Sequence, residues 1–195
     1  MRAGSFWRGI VAVLLTGLLF ACTPPPPVEL STQFTPPHHA GWAASANWPG
    51  GHPTCRIRLV AVRDQRLDPQ AMGDIGGRLV HASDARGWVQ SGLLTLTLDP
   101  RIEFVDDTAR SNLVLDVDLV NAYVLSITMD RSVSVVLRVR YSRQNKLQDE
   151  QVYRGVDTGT NWNSGREETQ DAFDSALAQV IEDIDRDVGT RCGNG

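Results

Sequence analysis

Lysine is almost absent from this chain: Lys146 is the one lysine among 19 basic residues, a bias that reads as codon usage more than chemistry. Histidine is scarce too, with four copies, three of them (His38, His39, His52) ahead of the region that can fold and only His81 inside it. A lone histidine near a strand or loop is usually structural, which leaves little for histidine-based catalysis. No G-x-S-x-G elbow, H-E-x-x-H pair or P-loop occurs, so the common hydrolase, metalloprotease and nucleotide signatures are missing. No run of 18 apolar residues occurs either, so no segment is suited to cross a bilayer as a helix. Cysteine is limited to Cys22, Cys55 and Cys192, too few and too far apart for a zinc site.

What is present begins at the N-terminus. Arg2 and Arg8 form a short positive region, and Ile10 to Phe20 follow as an apolar stretch. Leu19-Phe20-Ala21-Cys22 resembles the bacterial lipobox, in which a small residue precedes a cysteine that is acylated before cleavage. The expectation is a signal peptide over residues 1–21 and a mature lipoprotein beginning at Cys22, its palmitate-type chains anchoring it permanently. Thr23 follows in place of the aspartate that favours inner-membrane retention, which implies a Gram-negative outer-membrane address facing the periplasm. Cleavage removes two of the 19 basic residues and none of the 23 acidic ones, leaving 17 against 23. That balance argues against a nucleic-acid partner and provides no polybasic membrane patch.

Residues 22–54 read as the lipidated cysteine and a proline-rich tether. Pro24 to Pro27, Pro36, Pro37, Pro49 and Pro53 favour extended backbone and do not build a core. His38 and His39 lie in this stretch as solvated loop residues more readily than as metal ligands, and Trp42 and Trp48 are expected to pack back on the domain. With Cys22 lipidated, Cys55 and Cys192 bracket residues 55–195, and an oxidising periplasm permits a disulfide between them.

Residues 55–195 read as a single α+β domain. Arg56 to Val62 is the first strand, and residues 67–83 a loop with one strand at Arg78 to His81. Asp84 to about Leu98 has helical spacing, and Ile102 to Val105 is a short strand. Leu113 to Ser126, Ser132 to Tyr141 and Gln151 to Thr160 alternate apolar and polar residues, with a polar turn over Ser142 to Glu150. Ser164 to Glu167 forms a capping box, and the following helix carries an apolar stripe from Ala172 to Val188, with Gly189 placed to end it. The expected architecture is an antiparallel sheet of four to five strands with this long helix and a second one packed on one face.

Three stretches carry a family resemblance: Val60-Ala-Val-Arg-Asp-Gln-Arg66, Leu113-Val-Leu-Asp-Val-Asp-Leu-Val-Asn-Ala-Tyr-Val124, and Val152-Tyr-Arg-Gly155 before the Glu-rich start of the last helix. In this order of elements the chain resembles the YajG-like family of bacterial outer-membrane lipoproteins over most of residues 56–188. The resemblance implies fold and location. That family has no settled activity to transfer.

No cofactor or metal is indicated: Asp106-Asp107 sits at a strand end, and Asp183, Asp185 and Asp187 lie mostly on the wet face of the last helix, where solvation accounts for them. Asp64 and Arg66 form either a charged lip that receives a partner or, more plainly, a local salt bridge. Tyr123, Tyr153 and Trp162 are candidate contact residues, with cross-strand packing or a helix staple as the plainer accounts. The expected function is a non-enzymatic, lipid-anchored accessory module that binds a protein partner of an envelope machine. The rival is a binding module for a small envelope ligand, a cell-wall fragment or a lipid, held between helix and sheet.

Overall fold

The computed structural model describes residues 25–37, 55–144, 146–162 and 165–193. Strands β1 (Val28–Leu30), β2 (Cys55–Asp64), β3 (Ala71–Ile75) and β4 (Arg78–Ala82) precede helix α1 (Ala85–Leu94). Strands β5 (Ile102–Phe104), β6 (Leu113–Ile127), β7 (Asp130–Arg143) and β8 (Lys146–Thr160) then lead to helix α2 (Arg166–Gly193).

The sheet is mixed and eight-stranded, larger than the antiparallel one expected. β6 to β8 do form an antiparallel meander. On the other side of β6, however, β2 and β3 both run parallel to it, and β5 and β1 add parallel edges to β2 and β4. A bulge at Val120 explains how one strand serves two partners. Before it Leu115, Val117 and Leu119 face the core; after it Ala122 and Val124 do. The extra residue bends β6, so β2 pairs with its first half and β3 with its second.

Both helices cover one face. Phe173, Leu177, Val180, Ile181 and Ile184 of α2 are fully buried over Val135, Leu137 and Val139 of β7, as the apolar stripe implied. The helix needs a close approach at Gly155, where an added Cβ would lie 1.8 Å from the Ala176 carbonyl oxygen. Gly189 does not terminate α2, which runs on to Gly193. Ser164 of the expected capping box lies outside the described residues. The Glu168 carboxylate instead accepts from the Trp162 amide at 3.0 Å.

Three local expectations change. Residues 71–82 are a hairpin, turned by Gly76 and Gly77 at φ 58° and 77°, and not a loop with one strand. The helical spacing from Asp84 splits into α1 and a 3-10 turn over Thr95–Leu98, with Asp84 as the N-cap accepting from Gly87 N at 2.9 Å. Most of the expected turn at 142–150 is strand, since β7 runs to Arg143 and β8 begins at Lys146.

The largest correction concerns the tether. Part of it belongs to the domain: Val28, Leu30 and Phe34 are buried, and β1 pairs with β4. Ser31 N donates to Gln170 Oε1 at 2.8 Å, Phe34 N to Ser91 Oγ at 2.9 Å, and Thr35 N to Asp174 Oδ2 at 3.3 Å. The segment straps across α1 and α2. Cys55, at the start of β2, is bonded to Cys192 in the last turn of α2, with Cα atoms 5.4 Å apart.

Candidate functional site

β2 ends at Asp64, beside the bend of β6, and the chain passes from there to the β3–β4 hairpin. The next residues form a loop built around one buried cation. Arg66 is 7% exposed, and its guanidinium grips both Asp64 oxygens, Nε to Oδ1 at 2.9 Å and Nη2 to Oδ2 at 2.7 Å. The same group donates to the Pro69 carbonyl at 2.6 Å and the Ala71 carbonyl at 3.5 Å. Burial pushes the Asp64 carboxyl up, but the hydrogen bonds and charge of Arg66 outweigh it and leave the group below its ordinary value. Asp64 and Arg66 therefore form the local salt bridge, and Arg66 is not an accessible lip. What the clamp holds outward is Leu67, fully exposed at the crest of the loop.

An open cleft of about 700 Å³ lies beside this loop, with Glu29, Arg63, Gln70, His81, Asp84 and Arg86 in its walls. It lies where the ends of β2 and β4 meet the start of α1, not between helix and sheet. His81 stands across from Glu29 in the β1–β4 register, yet among the described residues no hydrogen bond or ion pair engages its imidazole. Arg63 in the cleft wall is held by Asp116 at 2.7 Å and Asp118 at 2.8 Å, hydrogen bonds that raise its pKa. Arg140 reaches the same two carboxylates from β7, at 3.3 Å and 2.8 Å. This charge ladder crosses the sheet face opposite the helices and fixes the position of Arg63. A second depression, of about 460 Å³, is more apolar and runs from Leu67 past Leu79 and Val120 to Tyr123, which is half exposed.

The other sequence candidates separate. Tyr153 is not a contact residue: it is buried, donates to Asp187 Oδ2 at 2.5 Å and shares a 2.7 Å hydrogen bond with Tyr141. Burial pushes the Tyr141 hydroxyl up to about 12 and the Tyr153 hydroxyl higher still. Asp187 is thus an internal acceptor more than a solvated carboxylate. Trp162 is 80% exposed, so it staples nothing, and it lies at the far end of β8, away from the loop of Arg66. Among the described residues no three His, Cys, Asp or Glu side chains converge as a metal set; His38, His39 and Cys22 lie outside those residues. Sequence reasoning missed Leu67 and Glu29. The signal for Leu67 was its place between Arg66 and Asp68-Pro69, an apolar residue in an otherwise polar turn.

No family model and no curated relative matches the chain. Solved structures do. Protein XCC0632 from Xanthomonas campestris, of the DUF330 family, is similar in fold, with a TM-score of 0.54 and 11% identity over 88% of this chain and 99% of that one. A weaker likeness, at a TM-score of 0.43 and 9% identity, joins 70% of this chain to 94% of a minor lipoprotein from Acinetobacter baumannii. At these identities the first likeness shows a shared fold. Membership of the YajG-like family stays an expectation of the sequence.

Proposed function

We propose that this protein is a lipid-anchored, periplasm-facing accessory lipoprotein of the outer membrane. It acts without catalysis, docking a protein partner of an envelope machine through the loop at residues 65–70. The lipobox-like Cys22 supports the anchor, and the YajG-like order of elements agrees with that location. One observation carries the docking site. A buried arginine directs four guanidinium hydrogen bonds into a loop that holds Leu67 fully in solvent. Among the described residues nothing covers Leu67, and a rigid, protruding apolar side chain suits an anchor for a partner's pocket. The depression running from Leu67 to Tyr123 extends the surface, and the polar cleft on its other flank supplies Arg86, His81 and Glu29 as a rim.

The rival is a small polar ligand such as a cell-wall fragment, and the polar walls of the 700 Å³ cleft favour it. Photo-crosslinking in intact cells separates the two, with the reactive group placed at residue 67 and, separately, at residue 86. A discrete adduct with an envelope protein from residue 67 is the expected result. Adducts to cell-wall fragments from residue 86, with none to protein from residue 67, would shift the function to the rival.

A further inference from the structure

The strand register brings six chain segments to one end of the sheet. The start of β1 lies beside the start of β4, and Arg78 Nε donates to the Pro26 carbonyl at 3.0 Å. The β3–β4 turn lies beside the end of β6, through the pairing of Asp74 with Leu125. The β6–β7 turn follows, where Ile127 pairs with Asp130, and Asp130 pairs in turn with Thr160 at the end of β8. Asn161 N closes the row by donating to the Met129 carbonyl at 2.6 Å.

That end carries a concentration of exposed large apolar side chains. Ile127 is 64% exposed, Met129 57%, Leu79 56% and Leu125 51%, beside Trp162. They sit on tight turns and strand ends, not on a loose tail. Of the two arginines at this end, Arg131 is turned inward to Asp157 and Glu168, and Arg78 donates to the Pro26 carbonyl. In water this tip is an apolar surface without an evident internal purpose.

The same end is where the chain leads toward Cys22. Pro25 is three residues from that cysteine, and at about 3.5 Å per extended residue the gap is no more than roughly 10 Å. Because β1 is fixed in the sheet, residues 38–54 are an internal connection between β1 and β2 and add nothing to the reach of the anchor. We infer that this end of the domain rests on the lipid surface, with Leu125, Ile127, Met129 and Trp162 entering the boundary between headgroups and acyl chains. The inference rests on the acylation of Cys22. A tryptophan beside aliphatic side chains suits that boundary, where one part of the ring is apolar and its N–H stays wet. The loop of Leu67 then faces away from the membrane or along it, free for a protein.

The test uses the mature chain purified from envelopes with its own N-terminus. Met129→Cys and, separately, Leu147→Cys at the opposite end of β8 are labelled with an environment-sensitive fluorophore, the Cys55–Cys192 bond leaving one free thiol in each. Both proteins are placed on phosphatidylethanolamine–phosphatidylglycerol vesicles with and without spin-labelled lipids, and the mass of the N-terminal peptide is read first. The expected result is an acylated Cys22, a blue-shifted label at 129, and quenching there several-fold above that at 147. An acylated chain with equal or no quenching at the two positions overturns the inference and leaves the anchor intact. An unacylated Cys22 overturns the anchor, and this placement with it. A protein adduct from a photoreactive group at 129 in cells, in place of lipid quenching, assigns the tip to a protein interface and also overturns the inference.

Discussion

Asp174 of α2 accepts a hydrogen bond from Trp88 Nε1 of α1 at 2.7 Å, and its second oxygen takes the Thr35 amide of the N-terminal strap. One carboxylate, 2% exposed, thus ties together three segments far apart in sequence. Asp174→Ala removes the acceptor and leaves the buried indole N–H without one, a loss of about 1–3 kcal/mol. The strap should also loosen, so limited proteolysis near Phe34 is expected to accelerate in this variant while the wild type resists.

The same residue makes stability depend on pH. Burial pushes the Asp174 carboxyl up to about 6, against a partial pull downward from Trp88, Gln170 and Thr35. An acid whose folded pKa lies above its unfolded value, about 4, binds a proton more tightly when folded. Its contribution to stability therefore falls as pH rises from about 4 to about 6, and is level above that. Urea unfolding of wild type and Asp174→Asn at pH 4.5 and pH 7 isolates this group. Relative to the asparagine variant the wild type should lose stability at the higher pH. A relative gain would mean that the carboxylate is held in its charged form.

Gly155 is where α2 meets β8. Its substitution by alanine would drive a methyl into the Ala176 carbonyl, with Val180 Cγ2 next at 3.2 Å, so the helix must lift. Gly155→Ala is expected to cost about 3 kcal/mol, the upper end for overpacking. Gly159→Ala, four residues along the same strand, meets only Arg131 Nη2 at 3.4 Å and should change denaturant midpoints little. Equal losses in the two variants would contradict the packing described.

The Cys55–Cys192 bond spans 137 residues, so its removal releases a large loop in the unfolded chain. On the chain-entropy account this costs about 4–5 kcal/mol. Cys192→Ser is the cleaner variant, because Cys55 is buried in the core. Thiol titration of the denatured mature protein should find no free thiol at either position. Two would remove the bond and the stability argument together.

Arg66 and Leu67 should separate stability from docking. Arg66→Ala leaves the Asp64 carboxylate and two carbonyls without their cation, a loss of about 3 kcal/mol. Leu67→Asp changes a side chain that touches little, and its unfolding free energy should stay within about 0.5 kcal/mol of wild type. A photoreactive group at residue 86, on the rim of the docking surface, should also reach the envelope protein; if that crosslink survives Leu67→Asp unchanged, Leu67 is not the anchor of the contact.

Some of this was legible beforehand. The stripe from Ala172 to Val188 specified a helix and its buried face, because eight apolar residues at a 3.6 period leave one solution. The alternation in β6 and β7 specified strands and their inward residues up to the bulge, and two cysteines beyond Cys22 specified a pair. The salt bridge of Asp64 with Arg66 could be read at two-residue spacing, but not the burial that makes Arg66 a clamp.

Tertiary structure decided the rest. Alternation tells which way a side chain points but not which strand lies alongside, nor in which direction, so the parallel pairing of β2 and β3 with β6 had no local signal. Val120 reverses the alternation of β6 because one residue slips out of register, and Tyr123 and Leu125 face outward as a result. Val28 to Phe34 hold too few residues to show a period, and the surrounding prolines marked them as tether. They enter the core because β4 offers an unpaired edge and the two helices offer Ser91, Gln170 and Asp174. The sequence alone determined that a lipobox-like cysteine precedes an α+β domain. How few residues separate that cysteine from the folded domain was decided by three residues of β1, through pairing with a strand fifty residues away.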